Sequence, residues 1–214
     1  MSKHLSELVA KKFEGLKDFI PEGTFELLLP YFEKYSLQLK ITKERKSKRG
    51  DYRHPHSQQP HLHRISVNGN LNQYSFLITL LHEIAHLITY EAYKNKVAPH
   101  GKEWKANFKI VLKDFLNKEI FPHDVEKALK NSINHMKAAT CSDIGLEKAL
   151  RLYDENISTS HLYLDDLPLQ AVFEMQGGRV FQKIEKLRTR HRCKELKTGS
   201  LYFISGLALV KRIS

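Results

Sequence analysis

Apolar positions recur at spacings of three and four over much of the chain and at a spacing of two in a few short stretches. Leu5, Leu8, Val9, Lys12, Phe13, Leu16 and Ile20 mark an amphipathic helix that ends near Pro21. A second helix is predicted over 21–35, with Pro30 placed to split it. At Ser36 the period changes. Leu37, Leu39 and Ile41 alternate with Gln38, Lys40 and Thr42, the pattern of a strand with one buried face. A basic turn over 43–50 leads through Asp51-Tyr52-Arg53 to a loop containing Pro and His. His63, Ile65 and Val67 then alternate with Arg64 and Ser66 in a further strand that ends at Asn68-Gly69-Asn70.

The stretch 71–93 returns to helical spacing. Leu77, Leu80, Leu81, Ile84, Leu87 and Ile88 form a broad apolar stripe, and Asn70 is placed to cap the helix with Gln73 in the capping-box position. After a turn at 95–99, Trp104, Phe108, Val111, Leu112 and Phe115 predict a helix that packs an aromatic stripe onto the core. Another helix follows Pro122, with Val125, Leu129, Ile133 and Met136 on its buried side and His123 and His135 at its surface. The segment 140–143 reads as a connector, and 146–153 as a short helix. The last fifty residues differ. Apolar runs at 171–175, 179–184, 201–205 and 207–210 are separated by Gly177-Gly178, Gly199 and Gly206, which predicts a small antiparallel sheet. The fold class is therefore α+β.

A chain of 214 residues buries one sizeable core and leaves room for a small appended unit. Its 41% hydrophobic and 28% charged residues are ordinary for a soluble globular protein. Charge changes the picture more. Lys and Arg total 35 against 24 Asp and Glu, a formal +11, which favours a polyanionic partner: nucleic acid first, an acidic membrane surface second. The plain alternative is a basic surface that keeps the protein soluble. Arg179, Lys183, Lys186, Arg188, Arg190, Arg192, Lys194, Lys197, Lys211 and Arg212 crowd the C-terminal region, where Phe181, Tyr202 and Phe203 are candidates either for base stacking or for a small core.

Two cysteines, Cys141 and Cys193, supply neither a disulfide framework nor a four-cysteine zinc site. The N-terminus lacks an apolar signal core, and no run is long enough to cross a membrane. The expectation is a cytoplasmic protein without a transmembrane segment.

The chemistry concentrates in His82-Glu83-Ile84-Ala85-His86. On a helix this spacing puts two imidazoles on one face, within reach of one zinc ion, with a carboxylate beside them to act on the metal's water. A third ligand is needed. His100, at the end of a short reversal after the helix, ranks first. Glu103, one turn later, and Glu91, close behind the motif, are the alternatives. Three neutral ligands would leave one position of the zinc open, so the implied reaction is hydrolysis by activated water with Glu83 as the proton acceptor. Tyr52, His61, His63 and Tyr90 are candidates to stabilise an oxyanion. His54, His56, His61 and His63 make the strand region rich in imidazole, but their spacing matches no closed metal site.

Leu81-His82-Glu83-Ile84-Ala85-His86 after a strand and an Asn-rich turn, His100-Gly101-Lys102-Glu103-Trp104 after a short interval, and the basic tail together resemble the SprT-like family of zinc-metallopeptidase-type proteins, which includes the Spartan DNA-protein crosslink proteases. The resemblance is good over 36–116 and looser in the tail. It implies a zincin-like metallopeptidase domain over 1–138, a connector over 139–165 and a ribbon-like β unit over 166–214. It also implies His82, His86 and His100 as ligands of one zinc ion per chain, Glu83 as the catalytic residue, a protein or peptide substrate, and DNA as a partner of the basic C-terminal region.

The tail departs from the family pattern. Leu196 stands where a cysteine partner of Cys193 is expected, and 175–178 carries no cysteine, so a degenerate zinc ribbon held by apolar packing is expected. Two rival functions remain compatible with the sequence: a non-catalytic nucleic-acid-binding or regulatory protein that keeps the metal, and a metal-dependent hydrolase of something other than peptides.

Overall fold

In a computed structural model of the chain, residues 3–45, 47–134, 143–154, 161–188 and 190–214 are described. His135, Met136, Cys141 and the connector residues 140–142 named above lie outside them, as does the side chain of Leu5. The protein is mixed α+β and divides into two compact units, Met1–Glu155 and Asn156–Ser214.

The first unit is built around one helix. Helices α1 (Lys3–Phe13) and α2 (Phe25–Lys34) are followed by strands β1 (Leu37–Thr42), β2 (Gly50–Arg53) and β3 (His63–Asn68), then α3 (Gln73–Tyr93), α4 (Lys102–Lys113), α5 (His123–Asn134) and α6 (Ile144–Arg151). A 3-10 turn, Glu14–Phe19, continues α1 and buries Leu16. Pro30 does not split α2, which runs through it continuously. One missing N–H in a short helix is tolerated because Phe25, Leu28 and Phe32 anchor its buried face.

The three strands form a mixed sheet in the order β1-β3-β2, with β1 parallel and β2 antiparallel to β3. Ile65 and Val67 of β3 are fully buried and lie on the core side. Helix α3 is buried around most of its circumference, with Phe76, Leu77, Leu80, Leu81, Ile84, Ala85 and Leu87 at 1% exposure or less. This pattern marks a central helix rather than a surface helix with one stripe. Trp104, Phe108, Val111 and Leu112 of α4, and Val125, Leu129 and Ile133 of α5, close the core on further sides as their spacing predicts. Leu146 and Leu150 bring α6 into the same core.

The cap of α3 is Asn72, not Asn70. Its side chain accepts from the Ser75 backbone N–H, while its amide donates to the Leu150 carbonyl and to Asp154. The helix also runs one turn past Tyr90, to Tyr93, before the chain reverses.

The second unit is a six-stranded antiparallel sheet in the order β4-β9-β5-β6-β7-β8, larger than the four runs predicted. Its strands are β4 (Leu162–Tyr163), β5 (Val172–Met175), β6 (Arg179–Lys186), β7 (Arg190–Glu195), β8 (Leu201–Ser205) and β9 (Leu209–Arg212). Gly177 and Gly178 both take positive φ at the β5–β6 turn, a conformation that suits glycine. Leu164, Leu167, Phe173, Phe181, Cys193 and Val210 form its core. Strand β7 escapes apolar pattern reading because its inward residues are His191, Cys193 and Glu195, all buried. Lys183 is buried as well, its ammonium donating to the carbonyls of Leu164 and Asp165 and to that of Leu167, which ties the 3-10 turn Leu164–Asp166 to β6.

Candidate metal centre

His82 and His86 project from one face of α3, one turn apart, as the 3.6-residue period requires. His100 reaches them because the chain turns back on itself between α3 and α4. Lys94 and His100 adopt left-handed backbone, with φ of 53° and 57°. The Gly101 N–H bonds the Ala98 carbonyl, and a Cβ on Gly101 would lie 2.9 Å from that oxygen. The tight reversal therefore explains why glycine follows His100.

The three Nε2 atoms converge. His82 to His86 measures 3.2 Å, His86 to His100 2.9 Å and His100 to His82 3.0 Å. Nitrogens on one tetrahedral zinc, with Zn–N bonds of about 2.0–2.1 Å, stand about 3.3 Å apart, so the triad is close to ligand geometry. Burial holds His82 down to about 3 and His86 down to about 4, with the neighbouring imidazoles adding to the effect; burial, then Lys105, lowers His100. All three are thus neutral near pH 7, with lone pairs available to a cation. They are the only cluster of three or more His, Cys, Asp or Glu with such geometry among the described residues.

Of the alternative third ligands, Glu91 turns instead towards His63 Nε2, at 3.5 Å, and towards Lys94. Glu103 lies 3.8 Å from Lys102 Nζ and does not join the cluster. Trp104 forms a floor beneath the triad, with ring centroids 4.6 Å from His82, 5.2 Å from His86 and 4.6 Å from His100. Sequence spacing assigns it to the core, where it does lie; only tertiary contact reveals its second role against the imidazoles.

Glu83 is buried at 6% exposure. Burial, then the Asp51 carboxylate, pushes it up to about 8, against the opposing charges of Arg45 and Lys48. A cation held by the triad would draw it back towards the ionised form.

The four candidates for an oxyanion donor differ in their surroundings. His63 is 4% exposed, with Nε2 facing Glu91 and Nδ1 2.9 Å from the Tyr52 hydroxyl. The carboxylate favours a proton on Nε2, so Nδ1 accepts from Tyr52 and that hydroxyl is engaged. Burial, with Tyr90 and Glu91, also raises the Tyr52 phenol strongly, keeping it protonated. Tyr90 stacks on His54 with centroids 4.7 Å apart, and His61 is exposed. No second metal cluster gathers from His54, His56, His61 and His63 among the described residues.

The fold and this site define a mixed α+β protein with a three-histidine cluster suited to a metal ion on its central helix. Compared with known protein families, residues 12–135 match the SprT-like family, and the chain belongs to it. Searches of curated proteins and of solved structures return no match. No helix among the described residues is long and apolar enough to cross a membrane.

Proposed function

We propose that the protein is a zinc-dependent metallopeptidase of SprT-like type, with a zincin-like domain over 1–138, a connector over 139–165 and a degenerate ribbon over 166–214. The convergence of the His82, His86 and His100 Nε2 atoms beside the buried Glu83 carries this reading. These imidazoles hold one zinc ion, which when bound supplies Lewis acidity, easing deprotonation of water and polarising a peptide carbonyl. Glu83 takes the proton from the attacking water and delivers it to the leaving amine nitrogen as the C–N bond breaks. Trp104 and Phe108 back the imidazoles and exclude water from behind them.

The second unit supports a reading without zinc. Burial pushes the Cys193 thiol up to about 11, so it is not a ready thiolate ligand. In place of a knuckle, Arg179 pairs with Glu195 at 2.8 Å and lies over the Phe181 and Tyr202 rings.

A specific observation favours a nucleic-acid partner for this unit. Arg190, Arg192 and Lys194 alternate with buried residues along β7, and the register sets Phe203 beside Arg192 and Leu201 beside Lys194 on the same face. Phe203 is 58% exposed and Leu201 55%. Basic side chains interleaved with an exposed aromatic suit a single strand, with phosphates on the cations and a base on Phe203. Phe181, by contrast, belongs to the core.

The test uses the full chain loaded with zinc, assayed against casein, a DNA-bound basic protein and plain DNA, with and without chelator. Chelator-sensitive proteolysis that disappears in Glu83→Gln is expected; full proteolysis by that variant contradicts the proposal. For the second unit, replacing Arg190, Arg192 and Lys194 with Ala should flatten the slope of log K against log salt by about 0.7 for each phosphate of a single strand that the protein no longer neutralises. An unchanged slope rules out this face.

A further inference from the structure

Strand β2 lies across α3, and its alternation sends Gly50 and Tyr52 to the same side. Tyr52 meets His86 and Tyr90, with ring centroids 6.4 and 6.3 Å away. Gly50, two residues earlier in the strand, meets Thr79 and Glu83, which lie about two helical turns before His86 and Tyr90.

At Gly50 there is no room for a side chain. A Cβ built there falls against Glu83 Oε1, 3.0 Å from Glu83 Cδ and 2.7 Å from Thr79 Cγ2. Thr79 cannot easily yield, because its hydroxyl donates to the Ser75 carbonyl at 2.7 Å and this bond turns the methyl towards the strand. Gly50 is itself fixed by its register opposite Val67 in β3. Among the described residues no hydrogen bond to the Glu83 carboxylate is found, so packing sets its place.

We propose that Gly50 is the positioning residue for Glu83: because it carries no side chain, the carboxylate occupies the space a Cβ would take, and the strand backbone forms the wall that keeps it beside the histidine triad. The role rests on the reading of Glu83 as the proton acceptor. In this role Gly50 acts through Glu83, whose carboxylate occupies the space beside it.

The test is Gly50→Ala in the full chain, with Glu83→Gln in parallel. The variant should keep one zinc per chain and unchanged quenching of Trp104 emission by cobalt, with KM within about twofold of the parent. Its kcat should fall about a hundredfold, the loss that a displacement of about 1 Å produces, and a crystal structure should show the Glu83 carboxylate displaced with the triad in place.

A carboxylate in its original position, or parental kcat while Glu83→Gln is inactive, overturns the role of Gly50 alone. An active Glu83→Gln overturns the proposed function, and the positioning role with it. If Gly50→Ala does not fold, Thr79→Ser is added to remove the second clash and Glu83→Ala then decides: a cooperative melting transition that returns only with Glu83→Ala supports the contact, and a triple variant as unfolded as Gly50→Ala with Thr79→Ser overturns it.

Discussion

The candidate site depends on single residues whose neighbours leave them little freedom. His82, Glu83 and His86 are legible in the sequence because helical spacing is a local rule, and His100 because a short reversal limits where the chain can return. Gly50 and Trp104 are not legible as parts of the site: their roles depend on which helix turn each one faces, and pattern alone does not carry that. Gly101 is visible only as part of a motif, and its reason is the 2.9 Å approach to the Ala98 carbonyl. Gly101→Ala is therefore expected to displace His100 and weaken metal affinity about 10- to 100-fold, the range seen when groups supporting a ligand are removed. Competition titration with a zinc chelator checks this, and unchanged affinity would show that the loop absorbs the methyl.

Among the elements, the helices and the strands with apolar inner faces follow directly from period, whereas the cap of α3 and strand β7 do not. Asn70 has the right residue type, but Asn72 makes the bond to Ser75 N–H and ties the helix start to Leu150 and Asp154. Asn72→Ala should lower stability by about 1 kcal/mol or somewhat more, and Asn70→Ala by far less, in denaturant unfolding.

Strand β7 is hidden because a buried His, Cys and Glu imitate a polar segment. Its His191 is 1% exposed, and burial, with the Lys183 charge, lowers its pKa despite Asp165 at 3.2 Å. The unfolded chain then binds the proton first, so stability is full above the ordinary histidine value of about 6.5 and falls as pH drops below it. His191→Asn should flatten that acid slope in melting curves recorded from pH 7.5 to about 5.5. A slope as steep as the parent's would assign the acid sensitivity to other groups.

Across the whole molecule, the two units carry different chemistry. The first unit holds the histidine cluster, and the second presents a basic strand over a core assembled without cysteine pairs. The sequence foretells an α+β chain with a β-rich end, yet it undercounts the second sheet, because β4 is only two residues long and β7 is disguised. Metal content separates the units cleanly, since a zinc ribbon would add a second ion. The most direct measurement is elemental analysis of the purified full chain and of two variants. The account predicts about one zinc per chain in the parent, the same in Glu83→Gln, and loss of it in His100→Ala. Zinc retained by His100→Ala, or two zinc ions in the parent, would contradict it.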